Sequence, residues 1–381
     1  MRLALTDDQS LLAKTAAAFA AERSPLSRLR ALRSPSDPLG YSRPLWSQMA
    51  ALGWTGIPFA EDHGGAGLGL AEVVIVTEAL GRCLAPEPFL SSVMLAGRAI
   101  ARAGNDAQRA AYLAPVIAGD KILALALDER GTRHDRRRIA TRAEKTASGG
   151  LRVTGEKSQV IDGFGADAFV VATRTAGNLG DVGGVTLAIV AARAPGLSVV
   201  RQHRVDGRNA AFVRLAGVEV SSNEILGRID QGGDVLDDVV DDATVALAGE
   251  MVGGMVEALD RTLVYLRERV QFGVSIGTFQ ALKHRAARVF VEVELARSAV
   301  LAAARAIDEA SEHRRALVSA AKARASDAYV HAANEAIQMH GGIGMTDEHD
   351  IGLFLKRARV AEMTFGDAAF HRDRFATACG F

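Results

Sequence analysis

The spacing of apolar and polar positions changes twice along the chain. From residue 1 to about 118, apolar residues recur at helical spacing and are interrupted at Pro and Gly. Thr6 with Gln9 three residues later has the spacing of a helix capping box. The predicted helices of this region lie near 6–22, 42–52, 70–81 and 91–103.

The middle of the chain has a different pattern. From about 120 to 228, β-branched runs and runs of period two alternate with turns rich in Gly, which predicts an antiparallel sheet or barrel. The predicted strands lie near 121–127, 151–155, 168–173, 186–191 and 211–215.

Long helical patterns return after about residue 234 and predict a bundle. Its helices are expected near 234–270, from Thr278 onward, over 314–340 and over 349–375. The fold class is therefore predicted as α+β multidomain. It comprises an N-terminal helical domain (1–118), a middle β-sheet or barrel domain (119–230) and a C-terminal four-helix bundle (231–381).

Composition excludes several classes of protein. The 381 residues carry 45 Lys plus Arg against 45 Asp plus Glu, so the chain lacks the basic excess of a nucleic-acid binder. Two cysteines exclude a disulfide framework, and no histidine spacing indicates a metal site. No run reaches the ~18 apolar residues of a membrane span, and Asp7 and Asp8 interrupt the apolar start of the N-terminus. We expect a cytoplasmic protein.

One candidate site follows the first bundle helix, in the segment from Arg269 to Gln280. An arginine at such a turn offers the planar fork of donors that binds phosphate. Phe272 offers a ring face to a base, and Gln280 offers both a donor and an acceptor. The same spacing is also typical of a helix-loop-helix in which Gly273 ends the first helix and Arg269 is solvated.

A second candidate site ends the third bundle helix, where Gln338-Met-His340 precedes Gly341, Gly342 and Gly344. Glycines allow a close approach of the backbone to a ligand. Taken alone, the segment also fits an ordinary glycine helix stop.

Together the two motifs resemble those of the acyl-CoA dehydrogenase family, flavoenzymes that desaturate acyl-CoA thioesters. Three N-terminal segments, 52–58, 61–69 and 78–81, resemble that family's first domain. The resemblance implies an acyl-CoA substrate, electron-transfer flavoprotein as acceptor, and residues that hold the adenosine-diphosphate half of an FAD lodged in a neighbouring subunit. Those adenosine-side residues are Arg269, Gln271, Phe272, Phe279, Gln280, Gln338, Gly341 and Gly342.

The residues expected around the flavin ring depart from the family pattern. Asp128 stands where a Thr contacts the flavin, and Arg133-His134 replace a Gly-Ser pair. Gln159 replaces the Trp that covers the ring, and Ile161 replaces a hydroxyl donor. Four changes on one wall indicate that this subunit's own flavin pocket is lost.

The catalytic base is also missing from its usual positions. The reaction needs a carboxylate beside the substrate α-carbon, but Gly366 and Ala243 occupy the family's two Glu positions. Thr244 replaces an Arg that helps hold acyl-CoA. Asp367 is one residue from the first position and is the candidate base. The acidic run 237–242 is interpreted as a solvated helix face, with Asp241 or Asp242 as an alternative base.

The leading hypothesis is a heteromeric acyl-CoA dehydrogenase in which this chain completes a homologous partner's FAD site. Heteromeric members of the family act on steroid side-chain CoA esters, which suggests a sterol-derived substrate by analogy. Three alternatives remain open. They are a self-sufficient homo-oligomer using Asp367 or a helix Asp as its base, a non-catalytic structural subunit, and a flavin monooxygenase on the same fold.

Overall fold

The computed structural model of the chain describes residues 4–34, 37–132 and 134–381. The α-helices are α1 (Asp7–Arg23), α2 (Leu26–Leu32), α3 (Arg43–Ala51), α4 (Leu70–Arg82), α5 (Arg98–Ala103), α6 (Asp106–Gln108), α7 (Ala114–Ile117), α8 (Gly232–Glu268), α9 (Gln280–Asp308), α10 (Arg314–His340), α11 (Ile351–Met363) and α12 (Ala368–Ala378). The strands are β1 (Leu123–Ala126), β2 (Arg142–Lys145), β3 (Leu151–Ile161), β4 (Ala168–Arg174), β5 (Val185–Ala191), β6 (Leu197–His203), β7 (Asn209–Val220), β8 (Ile225–Leu226), β9 (Val270–Gln271) and β10 (Val274–Ser275).

The chain divides into two compact units. The first unit contains the residues up to Ala31, Gly69–Ala85 and Thr244–Phe381. The second unit contains Leu32–Leu68 and Pro86–Ala243. The first unit is helical apart from one short hairpin, and the second unit contains the large sheet.

Glycines let α4 and α8 approach closely within the first unit. A Cβ on Gly81 would lie 2.0 Å from the carbonyl oxygen of Glu250. A Cβ on Gly253 would lie 1.9 Å from the carbonyl oxygen of Glu78. Each helix therefore presents a bare backbone to the other at this crossing.

The predicted capping box of α1 is confirmed, since Thr6 and Gln9 exchange both hydrogen bonds.

In the bundle, α10 packs against α9, α11 and α12. The single helix predicted over 349–375 is wrong, because the chain breaks between α11 and α12. Phe365 and Gly366 have φ angles of 62° and 115°, which helical backbone does not allow. Asp367 then starts α12 as its N-cap. The predicted four helices are therefore five.

The sheet of the second unit has the strand order β6-β7-β3-β2-β4-β5-β8, with β1 paired to β4. Most pairs are antiparallel as predicted, but β1 runs parallel to β4 with Leu123 opposite Ala168, so the sheet is mixed. Ser92 ties β1 to the π-helical segment Phe89–Gly97, since its hydroxyl donates to the Leu123 carbonyl at 2.9 Å and accepts from the Leu123 amide at 3.0 Å. The helix predicted over 91–103 is thus π-helical in its first part and continues as α5.

The predicted fold class is confirmed, with N-terminal helices, a middle sheet and a C-terminal helical bundle. The three-domain boundaries at 118/119 and 230/231 remain a prediction. Within the described ranges, no helix has the length and apolar character needed to cross a membrane.

We expect Gly253→Ala to destabilise the chain by about 1–3 kcal/mol, because the new methyl group would overlap the backbone of α4 and force the helices apart. The measurement is the urea midpoint followed by far-ultraviolet circular dichroism. Gly183→Ala is the control, because a Cβ there meets nothing within 4 Å, and a change below about 0.5 kcal/mol is expected. Equal losses in both variants would contradict the close approach.

Candidate functional site

A short hairpin follows the end of α8 in the first unit. The Arg269 amide donates to the Tyr265 carbonyl at 2.9 Å, which closes the last turn of the helix. Strands β9 and β10 then pair with Val274 opposite Gln271. The two residues between them, Phe272 and Gly273, have φ angles of 54° and 80°. Positive φ at both positions is what a tight type I′ hairpin turn requires.

The backbone of Phe272 is strained on this hairpin. A left-handed backbone conformation at a non-glycine residue costs about 1–3 kcal/mol. The Phe272 side chain is nevertheless 92% exposed, and its only described ring contact is an edge-on one with Phe279 at 6.2 Å. Packing within the chain does not repay this strain, so an external ligand or surface is the natural partner of the ring.

The hairpin presents polar groups on the same surface. The side chains of Arg269, Gln271 and Gln280 are exposed. The Ile276 amide donates to the Arg269 carbonyl at 2.9 Å, which fixes the backbone of the arginine. Helix α9 begins at Gln280, directly after Phe279. The hairpin and the start of α9 therefore carry a guanidinium, two side-chain amides and two phenyl rings on an ordered backbone.

The glycine turn at the end of α10 is equally open. Gly341 has a φ of 67°, which only glycine adopts without strain. Gly342 needs no such conformation, and a Cβ on it would meet nothing within 4 Å. Packing within the chain therefore does not explain a glycine there, whereas the close approach of an external ligand would. Gln338 is exposed one helical turn earlier.

One ring contact brings the hairpin and the glycine turn together. Tyr265, four residues before Arg269, stacks on His340 with ring centroids 4.4 Å apart. Because His340 directly precedes Gly341, the two motifs lie at the same end of the bundle. The sequence prediction did not include Tyr265, whose only signal was its position one turn before Arg269.

In the second unit, a buried ion pair lies at the positions expected to face the flavin ring. The Lys157 ammonium, with a fully buried side chain, donates to Glu129 Oε1 at 2.7 Å and to the Leu127 carbonyl at 3.1 Å. Burial lowers the pKa of Lys157, while Glu129 opposes that shift. Burial acts to raise the pKa of Glu129, but Lys157 and hydrogen bonds from Thr141 outweigh it and lower that pKa.

The residues predicted to have lost their flavin contacts lie in the same two chain segments as this ion pair. Asp128 and Gln159 are exposed, and Ile161 is buried. Gln159 has a φ of 54°, and its backbone amide donates to Oε1 of Gln202 at 2.8 Å. Of the pair Arg133-His134, Arg133 lies outside the described residues, whereas His134 has a φ of 68°.

The interpretation of the acidic run as a solvated face is wrong for Asp241 and Asp242, which are 5% and 2% exposed. Arg136 pairs with Asp241 at 2.8 Å. Asp242 Oδ2 accepts from Arg98 at 2.6 Å and from Arg102 at 2.9 Å. Arginines more than a hundred residues away in the chain neutralise these carboxylates, and sequence spacing does not reveal such partners.

The two family base positions contain no carboxylate. Ala243 is fully buried in α8. A Cβ on Gly366 would lie 2.3 Å from the Phe370 ring, so a side chain at this position would require the ring to move. Asp367 Oδ1 accepts from the Phe370 amide at 2.8 Å and caps α12. Asp367 thus has a structural task that is independent of any catalysis.

The two sets of residues expected to contact FAD differ in how well they suit the cofactor. The adenosine-side residues suit an adenosine diphosphate, because they combine an exposed guanidinium, exposed phenyl rings and open glycine backbone. The ring-side positions do not keep the expected contacts, since a carboxylate and a glutamine stand where Thr and Trp were expected. This difference is the main chemical feature of the site.

Comparison with protein-family models matches most of the chain to one family. Residues 6–120 match the acyl-CoA dehydrogenase N-terminal domain, and residues 230–379 match the acyl-CoA dehydrogenase C-terminal domain. Among relatives, the acyl-CoA dehydrogenase IpdE2 of Mycobacterium tuberculosis is 32% identical over 359 residues, which cover 92% of this chain and 91% of the relative.

Solved structures give the same match over the full length. The ChsE4–ChsE5 complex from Mycobacterium tuberculosis superposes with a TM-score of 0.89 at 28% identity, covering 100% of this chain and 99% of that one. The Tcur3481–Tcur3483 steroid ACAD superposes with a TM-score of 0.87 at 29% identity, covering 98% of both chains.

We expect Glu129→Gln to cost about 3–5 kcal/mol at neutral pH, because it leaves the buried Lys157 ammonium without a countercharge. The pKa of Lys157 is lowered in the folded chain, so between that lowered value and the ordinary value near 10.5 the unfolded chain binds more protons. Stability therefore rises with pH in this window, and the cost of Glu129→Gln should shrink there.

Urea midpoints at about pH 7 and pH 9.5 test this expectation. Glu156→Gln is the control, on the same strand as Lys157, since Glu156 is exposed and lies 4.0 Å from its partner Arg214. It should change stability by less than about 0.5 kcal/mol at both pH values. A cost for Glu129→Gln that is equally small would contradict the role of the pair.

Proposed function

The chain belongs to the acyl-CoA dehydrogenase family, and from that premise we propose that it is one subunit of a heteromeric acyl-CoA dehydrogenase. In this proposal its adenosine-side residues complete the FAD site of a homologous partner subunit. The partner supplies the flavin-ring pocket and the catalytic carboxylate. The family's enzymes are FAD-dependent oxidoreductases that act on acyl-CoA.

The exposed and strained Phe272 is the observation that carries the proposal. Its ring is 92% exposed on a hairpin whose backbone holds it at a φ of 54°. A ligand or a neighbouring subunit that covers the ring would gain about 1.5–3 kcal/mol from burying it. That gain offsets the strain only in an assembly, which supports a role in a cofactor site shared between subunits.

Each adenosine-side residue has a role suited to its chemistry. Arg269 binds the pyrophosphate through its guanidinium, and Phe272 with Phe279 packs against the adenosine. Gln271, Gln280 and Gln338 supply donors and acceptors, and Gly341 with Gly342 lets the backbone approach. When bound, FAD accepts the hydride that leaves the β-carbon of the acyl-CoA.

The base positions support the division of work between subunits. A side chain at Gly366 would overlap the Phe370 ring, and Ala243 is buried and apolar. Asp241 and Asp242 are held by arginines, so neither is a free carboxylate that could receive a proton. The α-proton is therefore proposed to go to a carboxylate of the partner.

The relatives support the proposed substrate class, and the family resemblance supports the proposed electron acceptor. Solved structures similar to this chain include the ChsE4–ChsE5 complex and a steroid ACAD. The proposed substrate is the CoA ester of a sterol-derived side chain, and the proposed acceptor is electron-transfer flavoprotein. The proposed location is the cytoplasm.

Arg269→Ala should weaken FAD binding by the heteromeric assembly about 10- to 100-fold, because a hydrogen bond to a charged group contributes about 1.5–3 kcal/mol. The assembly is this chain co-purified with a homologous partner and stripped of flavin, and FAD fluorescence gives the affinity. Arg267→Ala, an exposed change two residues earlier, is the control and should leave the affinity within about twofold. FAD-saturated, active preparations of the lone chain would overturn the proposal.

Asp367→Asn separates the heteromeric enzyme from the self-sufficient one. Asn caps helices about as well as Asp, so α12 stays capped while the carboxylate is removed. We expect acyl-CoA dehydrogenation and α-proton exchange by the assembly to stay within about twofold of wild type. A loss of about 100-fold or more would identify Asp367 as the base and support the homo-oligomeric alternative.

A further inference from the structure

Three aromatic side chains of the first unit stack beside the two adenosine-side turns. The rings of Tyr265 and His340 are 4.4 Å apart at an interplanar angle of 26°. The rings of His340 and His349 are 4.6 Å apart at 54°, and Tyr265 meets His349 edge-on at 6.5 Å. Each ring therefore touches both others.

This stack is connected to both cofactor-binding turns through short stretches of backbone. The Tyr265 carbonyl accepts the Arg269 amide at 2.9 Å, so the tyrosine is one helical turn from the hairpin. His340 directly precedes Gly341 and lies two residues after Gln338. A shift of the Tyr265 ring or of the His340 ring would therefore move the hairpin and the glycine turn relative to each other.

We propose that Tyr265, His340 and His349 are positioning residues that set the spacing of the two adenosine-side turns, and that protonation of the histidines loosens the chain's hold on FAD. The inference rests on the proposed function, because it assigns a regulator to the same site. It concerns the adenosine half of the cofactor alone and needs no flavin chemistry.

The hydrogen bonds of the two histidines define the proton that would be added. His340 Nδ1 lies 2.7 Å from the Ala336 carbonyl, an acceptor, so Nδ1 carries the hydrogen of the neutral ring. His349 Nδ1 accepts the Ile351 amide at 3.2 Å, so it carries none. A proton added to His349 Nδ1 would point at another donor and break that hydrogen bond.

The charged groups around the stack also disfavour protonation. Arg261 on α8 and Arg30 on α2 both reach Asp350, at 3.7 Å and 2.7 Å. Asp350 is therefore already engaged by two arginines. In the same loop Asp347 lies 3.9 Å from Arg30 and 2.9 Å from Lys356 of α11, and the Glu348 carbonyl accepts from Arg30.

Burial lowers the pKa of both histidines. Arg261 and Arg30 lower that of His349 further while Asp350 opposes them, and the Ala336 carbonyl opposes the shift at His340. A lowered folded-state pKa means that the neutral stack is stable above the ordinary value near 6.5. Its contribution is lost as the pH falls below that value, where the unfolded or loosened state binds more protons.

The test is an FAD titration of the flavin-stripped assembly, this chain with its homologous partner, between about pH 5.5 and pH 8. Wild-type affinity should fall several-fold from pH 7.5 to pH 5.5, because protonation of the two histidines would loosen the ring stack that sets the spacing of the two turns. His340→Phe keeps a flat ring and removes one titrating group. It should bind within about threefold of wild type at pH 7.5 and lose most of the acid weakening.

Two more variants complete the design. Tyr265→Ala removes the ring that stacks on His340 and should weaken FAD binding at every pH. His331→Phe, an exposed change on the same helix α10, is the control and should keep the wild-type pH profile. If His340→Phe does not fold, His349→Asn removes the second charge instead and should flatten the profile in the same way.

The outcomes separate this inference from the proposed function. A strong effect of Arg269→Ala together with an unchanged pH profile in His340→Phe and His349→Asn would overturn the inference and leave the proposed function standing. No effect of Arg269→Ala would overturn both. An apo-chain melting temperature that falls below about pH 6.5 in wild type but less in His340→Phe would support the stack independently of FAD.

Discussion

The ion pair between Lys157 and Glu129 is the contact on which the wall of the second unit depends. A fully buried ammonium requires a countercharge, and Glu129 supplies it at 2.7 Å. The same carboxylate accepts the amides of Ala140 and Thr141 at 2.7 Å and 3.0 Å. The end of β1, the middle of β3 and the segment before β2 are therefore fixed by one charged cluster. Both ends of the loop between Glu129 and Ala140 are therefore held by the same carboxylate.

Further ion pairs and hydrogen bonds hold the loop between Glu129 and Ala140. The loop carries Arg136 and Arg137, which pair with Asp241 and Asp237 at the start of α8. Arg174, 1% exposed, holds the same loop by donating to the carbonyls of Arg137 and Ile139. The zero net charge of the chain therefore includes arginines and aspartates that form ion pairs with one another.

Sequence patterns predicted those features that depend on local spacing. Helix α10 and the capping box of α1 follow from helical periodicity and capping chemistry, and both are confirmed. The parallel pairing of β1 with β4 was missed, because a short apolar run does not reveal its partner strand. The break at Phe365 and Gly366 was also missed, although Asp367 three residues before Phe370 is a recognisable N-cap signal.

The adenosine-side residues were recognisable by type, but their physical state was not. Neither the strain at Phe272 nor the open space at Gly342 can be read from spacing, since both depend on the backbone conformation. The ring stack is equally invisible, because Tyr265 and His340 are 75 positions apart by their numbers and meet only after α8 and α10 pack.

At Gly366, both the backbone conformation and the packing of neighbouring side chains disfavour a glutamate. Its φ of 115° disfavours any side chain, and the Phe370 ring fills the space that a Cβ would need. The backbone amide of Phe370 donates to Asp367 at the start of α12, which fixes the first turn of the helix that carries the ring. A glutamate at position 366 would therefore require the Phe370 ring to move and the backbone to leave its positive φ angle.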